Sequence, residues 1–132
     1  MMLVRCFVAP SAIEGLGTFT RDPISKGTEI YRFTPPFDTV LDTGAIDDAP
    51  PSAREFLARY TFTDPANPEK MMLEFDEGRY MNHSDDPNTD CSGIYFGFAV
   101  RDIAAGEELT CHYGHLEGGK VIIDPPRWVK SA

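Results

Sequence analysis

Apolar positions in this chain come in short alternating or continuous runs, broken every few residues by Gly, Pro, Asp or Asn, which is the pattern of strands rather than of long helices. Residues 3–9 form an apolar run of strand length ended by Pro10-Ser11, and residues 28–33 alternate well enough for a second strand before Pro35-Pro36 stops it. Residues 71–75 read as a third strand, with the Met71-Met72 pair as core filler. Ile94-Tyr-Phe-Gly-Phe-Ala-Val100 is the strongest strand signal; its aromatic rings are expected in the core, and Gly97 marks a bulge or a close backbone approach. A single helix is signalled: Ser52-Ala-Arg-Glu55 matches a capping box, and Ala53, Phe56, Leu57 and Tyr60 share one face, expected to cover a sheet. Residues 38–51, rich in Asp, Pro and small side chains, read as a surface loop. Arg21-Asp-Pro-Ile-Ser-Lys-Gly-Thr-Glu-Ile30 and Arg101-Asp-Ile-Ala-Ala-Gly-Glu-Glu-Leu109 echo each other, each a Gly-containing turn leading into a strand. The fold class is mainly β, several small sheets with one or two short helices.

One stretch follows no period. Arg79-Tyr-Met-Asn-His-Ser-Asp-Asp-Pro-Asn-Thr89 packs an Asn-His-Ser triplet, two acids and a Pro turn into eleven residues, and reads as an ordered loop kept for what its polar groups touch. A surface turn whose Asn and Ser side chains bond their own backbone is the competing reading. Two other motifs flank it: Ser11-Ala-Ile-Glu-Gly-Leu-Gly-Thr-Phe19 near the start and Gly106-Glu-Glu-Leu-Thr-Cys-His-Tyr-Gly114 near the end. Gly15 and Gly17 alone fit a tight turn between strands. A Rossmann phosphate cradle is excluded, because Thr18-Phe19-Thr20 stands where a third Gly and a helix would be needed.

Length and charge narrow the function. A chain of 132 residues at 42% hydrophobic content is expected to form one domain, 1–132, with a real core. No apolar run approaches the length of a bilayer span and no signal-peptide layout opens the chain, so a soluble, intracellular protein without a membrane partner is expected. That means cytoplasmic in a bacterium, nuclear or cytoplasmic in a eukaryotic or viral setting. Cys6, Cys91 and Cys111 are too scattered for a disulfide framework and read as free thiols. A net charge of -9 disfavours nucleic acid as a direct partner and suits a basic peptide segment.

The small-residue loop, the Asn-His-Ser loop and the Glu-Leu-Thr-x-x-Tyr-Gly segment, in that order, resemble the SET-domain protein lysine methyltransferases over residues 6–114. The resemblance implies a β-clip fold with a C-terminal segment tucked through a loop, a variable insert over 37–76, and a tail, 115–132, that closes the site. It implies S-adenosylmethionine as methyl donor and the lysine amine of a protein substrate, such as a histone or other basic tail, as acceptor. Tyr113 is then the catalytic residue, its phenol holding the amine and the polarised methyl group without a charged base. Gly15, Leu16 and Gly17 are expected against the methionine part of the donor. Arg79, Tyr80, Asn82 and His83 complete the cofactor set, with His83 as general base the lesser role. Trp128 either stacks on the adenine, anchors the tail or lies in a homodimer interface.

Three departures from the family pattern stand out. Cys111 replaces the bulky ring usual two residues before the Tyr, which is expected to leave room for more than one methyl group. His112, where Asp is common, has no assigned role. The cysteine-rich tail is missing, and Asp85 stands where a zinc-binding cysteine would follow the triplet, so no metal is expected. Two alternatives remain open at this level: a degenerate domain that binds without turnover, and a methyltransferase acting on a small amine.

Overall fold

A computed structural model of the chain describes residues 1–64, 66–93 and 95–116. Within these, ten short strands form three small sheets, consistent with the mainly β expectation. Strands β1 (Cys6–Pro10) and β2 (Leu16–Thr20) make an antiparallel hairpin, and β10 (Glu108–Cys111) and the two-residue β7 (Asn82–His83) extend it in the order β1-β2-β10-β7. The pairing of β10 with β7 is parallel and sets Asn82 beside Thr110 and His83 beside Cys111. A second sheet holds β3 (Glu29–Arg32), β9 (Phe96–Ala99) and β8 (Thr89–Asp90); the third holds β4 (Thr39–Asp42), β6 (Asn67–Leu73) and β5 (Thr61–Asp64). Ile30, Ile103 and Leu109 form the buried centre shared by the first two sheets, with Cys6, Cys91 and Cys111 in the same cluster.

The echoed segments meet. Ile24 and Ile103 exchange both backbone hydrogen bonds, at 2.9 and 2.8 Å. Gly27 N–H donates to Ala99 O and Gly106 N–H to Thr20 O, so each turn is tied to a residue four positions before the Ile of the other. Both glycines adopt positive φ, 86° and 82°, a region that costs other residues a steric clash. What reads as two separate sheet ends is one local pseudo-twofold that joins the first two sheets.

Several elements differ from the sequence-based expectation. Strand β1 starts at Cys6 rather than residue 3, and Leu3 stays exposed, its N–H bonded to Ile30 O. Residues 38–51 are not a loop: they contain β4 and a helix, α1 (Thr43–Asp47). Asp38 is buried there because its carboxylate accepts from the Met1 amine at 2.6 Å, Thr34 N at 2.8 Å and Phe75 N at 3.2 Å. The capping box is not used. Helix α2 (Pro51–Tyr60) starts two residues earlier than a cap at Ser52 would set it, with Pro50 as N-cap and Pro51 at a first-turn position where its missing N–H costs nothing. It buries no side chain fully and lies against α1, with Phe56 exposed, instead of covering a sheet with an apolar face. Strand β6 begins at Asn67 and pairs with β5, for which the sequence pattern carries no signal.

The aromatic strand is inverted. In β9, Gly97 and Ala99 face inward while Phe96 and Phe98 are 44% and 43% exposed, so the expectation of core rings is corrected there. A Cβ on Gly97 would lie 3.3 Å from both Cys91 Sγ and Tyr31 Cβ, so the inner side takes only the smallest residues, and the period of two sends the rings out. The close approach expected at Gly97 is present, and the register shift lies opposite, in β3 between Glu29 and Tyr31.

Candidate functional site

Residues 79–89 are ordered, as expected, but carry more regular structure than a loop: the end of a 3-10 turn (Glu77–Tyr80), then β7 and the start of β8. They enclose β10. Asn88 Oδ1 accepts from Thr110 N at 2.9 Å and its Nδ2 donates to Glu108 O at 2.7 Å. Thr89 Oγ1 donates to Thr110 O at 2.7 Å, and Ser84 N to Cys111 O at 3.0 Å. These bonds hold the C-terminal segment against the Asn-His-Ser strand and so deliver Tyr113, first residue of α3 (Tyr113–Leu116), to the first sheet.

There a recess is lined by Leu16, Arg59, Tyr60, Arg79, Tyr80, Met81, Asn82 and Tyr113. Five of these, Leu16, Arg79, Tyr80, Asn82 and Tyr113, are residues that the sequence motifs single out. Arg59 and Tyr60 come from α2 in the insert, and no motif points to them. The one signal for them is a cation and a phenol side by side at a helix end, which periodicity does not distinguish from solvated surface.

Asn82 is buried, and its Nδ2 faces three acceptors: Leu16 O at 3.0 Å, Glu14 O at 3.1 Å and Glu108 Oε1 at 2.9 Å. Ser11 Oγ faces both Glu108 oxygens, at 2.8 and 2.9 Å. Glu108 thus ties the three motifs together. Gly17 explains its own requirement: a Cβ there would collide with Glu108 Oε1 and come within 3.1 Å of Ser11 Cβ. Gly15 has φ 45°, and a Cβ on it would lie 3.1 Å from Arg59 Nη2. Gly15 and Gly17 therefore shape the wall without lining the recess.

The Tyr113 hydroxyl donates to Met81 O at 2.7 Å. Burial, with the nearby Cys111 second, pushes the phenol well above its ordinary pKa, so it stays protonated at any physiological pH. Cys111, two residues earlier, is buried. Its thiol is turned into the core, where a hydrogen bond with Cys91 and then burial keep it protonated, and it is not a lining residue.

His83 also faces away from the recess. Its Nδ1 accepts from Tyr113 N at 3.1 Å, while Nδ1 of His112 accepts from Gly114 N at the same distance. With both Nδ1 lone pairs in use, each neutral ring carries its proton on Nε2, and both Nε2 atoms face Asp85 Oδ1, at 2.9 and 3.9 Å. His83, Asp85 and His112 could each offer a ligand atom, all within 4.8 Å of one another. A metal-bound imidazole, however, donates from its second nitrogen, whereas these accept. The trio is better built as a carboxylate-clasped histidine pair bracing the start of α3, which supplies a position for His112. Trp128 and the tail beyond residue 116 lie outside the described residues.

A β domain of three small sheets, with a glycine hairpin, an Asn-His-Ser strand and a Glu-Leu-Thr strand brought to one recess beside a protonated Tyr, defines the class. The chain belongs to the SET domain family, which its sequence matches over residues 15–114. Its fold is similar to that of a Plasmodium falciparum protein provisionally described as a histone methyltransferase, at 21% identity and TM-score 0.61, covering 86% of this chain and 96% of that one. It is also similar to a humanized mutant of the Chaetomium thermophilum Polycomb Repressive Complex 2 bound to the inhibitor GSK126, at 25% identity and TM-score 0.57. That match covers 84% of this chain and 15% of the other. No curated protein matches the sequence. Among the described residues no helix is long and apolar enough to cross a membrane.

Proposed function

We propose that the protein transfers a methyl group from S-adenosylmethionine to a lysine amine of a protein substrate. The observation that carries this reading is the Tyr113 hydroxyl, half-buried, protonated and hydrogen-bonded to Met81 O, in a recess that Asn82 also lines. The lining suits such a donor: phenol and carbonyl oxygens for a sulfonium, and Arg59 and Arg79 for a carboxylate. When bound, the donor supplies an electrophilic methyl group. Tyr113 contributes a fixed dipole and no charged base, so it orients an amine that has already lost its proton to solvent. Asn82 and Glu108 hold the glycine hairpin in place, and the paired histidines hold the backbone of Tyr113 and Gly114.

The acidic balance of the chain, and Asp85 at 95% side-chain exposure beside the start of α3, favour a basic segment around the target lysine. A second reading, a binding module without turnover, draws on the small size of the recess, about 10 Å³, the scale of one water. Isothermal titration with S-adenosylmethionine, followed by mass spectrometry of a lysine-rich protein, separates the two. Mass gains of one methyl group on lysine support transfer. Binding without any mass gain supports the module, and turnover only on free amines would move the substrate to small molecules.

A further inference from the structure

We propose that His112 is a positioning residue for Tyr113 and that, with His83, it forms a clamp that holds only while both rings are neutral. The consequence for turnover rests on the methyl-transfer reading above, whereas the clamp is a property of the chain alone. Two of its three members, His112 and Asp85, stand where this sequence departs from the family pattern.

His83 ends β7, and His112 stands between β10 and α3; their ring centroids lie 4.7 Å apart at 74°, edge to face. Each ring gives its Nδ1 lone pair to a backbone amide, His83 to Tyr113 N–H and His112 to Gly114 N–H, both at 3.1 Å. The first amides of a helix have no acceptor within it, so His112 takes the part of an N-cap and His83 serves the amide before it. Tyr113 is thereby fixed at two points, by its amide to His83 and by its hydroxyl to Met81 O at 2.7 Å.

A proton can add to either ring only at Nδ1, because Nε2 already carries one. The imidazolium has no acceptor left, and its new N–H points at the amide it formerly held. Asp85 does not offset this loss. Its Oδ1 lies 2.9 Å from His83 Nε2 but 3.9 Å from His112 Nε2, and at 95% side-chain exposure the charge is screened by water. Nor does one carboxylate serve two cations whose rings are 4.7 Å apart. Among the described residues, the other titratable groups around the pair are the Tyr113 phenol, its ring 5.4 Å from that of His83, and the core-facing Cys111 thiol, and both stay protonated. Asp86, next along the loop, pairs with Arg101. Histidine is the side chain that gains its charge near neutral pH, so acidification releases the first turn of α3 and Tyr113 with it.

The first measurement is proton–nitrogen NMR of the histidine rings in the full chain without substrate. At pH 8 both Nδ1 atoms should be unprotonated, and the amide resonances of Tyr113 and Gly114 should follow the ring titration as pH falls to about 5.5. Turnover reads the consequence. His112→Asn places Oδ1 where Nδ1 stood, so it keeps an acceptor for Gly114 N–H and takes no proton. The ratio of variant to wild-type kcat should therefore rise by about 3- to 10-fold from pH 8 to about 5.5, the worth of one backbone bond, and ionisation of the target lysine cancels in that ratio. His112→Ala, which offers no acceptor, should turn over more slowly than His112→Asn at pH 8. Neutral rings with Nδ1 protonated, or amides that ignore the titration, overturn the clamp, and a ratio that stays flat with pH overturns the positioning role. The expected spectra without any methyl transfer would support the clamp and remove the methyl-transfer reading instead.

Discussion

Glu74→Gln should make the protein more stable above neutral pH and abolish most of its pH dependence between 5 and 8. Glu74 follows β6 and lies beneath the 3-10 turn that carries Arg79 and Tyr80 into the recess; a Cβ on Gly78 in that turn would collide with its Oε2. Among the described residues that buried oxygen and the nearby Tyr31 hydroxyl reach no partner at full hydrogen-bond geometry, and the phenol, close to the carboxylate, only weakly favours its charged form. Burial, with Asp76 and Asp38 adding to it against the opposing Met1 ammonium, pushes the Glu74 carboxyl up to about 7 from an ordinary 4.5. The folded state therefore binds this proton more tightly than the unfolded chain. Its contribution is fully present below about 4.5 and is lost as pH rises through about 7. The shift corresponds to roughly 3 kcal/mol at most, and partial solvent access to the residue reduces this to about 2–3 kcal/mol. Gln keeps the shape and removes the charge. At pH 8 the variant should melt about 6–10 °C above wild type, while at pH 5 the two should agree within about 2 °C. Thermal unfolding by circular dichroism at five pH values measures this. Parallel pH profiles for the two proteins would refute the reasoning, since they would mean that Glu74 ionises in the fold as freely as in the unfolded chain.

Three further outcomes are expected. Gly17→Ala should cost about 2–4 kcal/mol, because the displaced carboxylate is no free side-chain end but the acceptor for both Ser11 and Asn82; an unchanged melting curve would show that Glu108 yields easily. Tyr113→Phe should lower turnover at least about tenfold, roughly 1.4 kcal/mol of barrier, with donor affinity nearly unchanged, and full activity would remove the hydroxyl from the reacting centre. Cys111→Tyr should destabilise by about 1–3 kcal/mol or more through overpacking beside Cys91; normal stability combined with a shift toward monomethyl product would instead place position 111 at the amine.

The chemistry of the site is legible along the chain, because it resides in local groups of unusual residues. Asn82, Tyr80, Arg79, Leu16 and Tyr113 stand out by type and order, and all line one recess. The mainly β class is legible for a similar reason, since alternation and Gly-Pro punctuation are local. What the tertiary structure alone decided involves residues far apart in sequence. Gly97 can face Tyr31 and Cys91 only because β3 and β8 flank β9, and that neighbourhood, invisible along the strand, sends Phe96 and Phe98 outward. Cys111 reads as a vacancy in the site by its small size, and only its neighbour Cys91, twenty positions away along the chain, makes it a core residue. The need for Gly at position 17 lies in Glu108, and the echo of residues 21–30 by 101–109 acquires meaning when Ile24 meets Ile103. Arg59 enters the recess because α2 is laid beside the glycine hairpin, a placement set by packing between elements, about which a helical period carries no information.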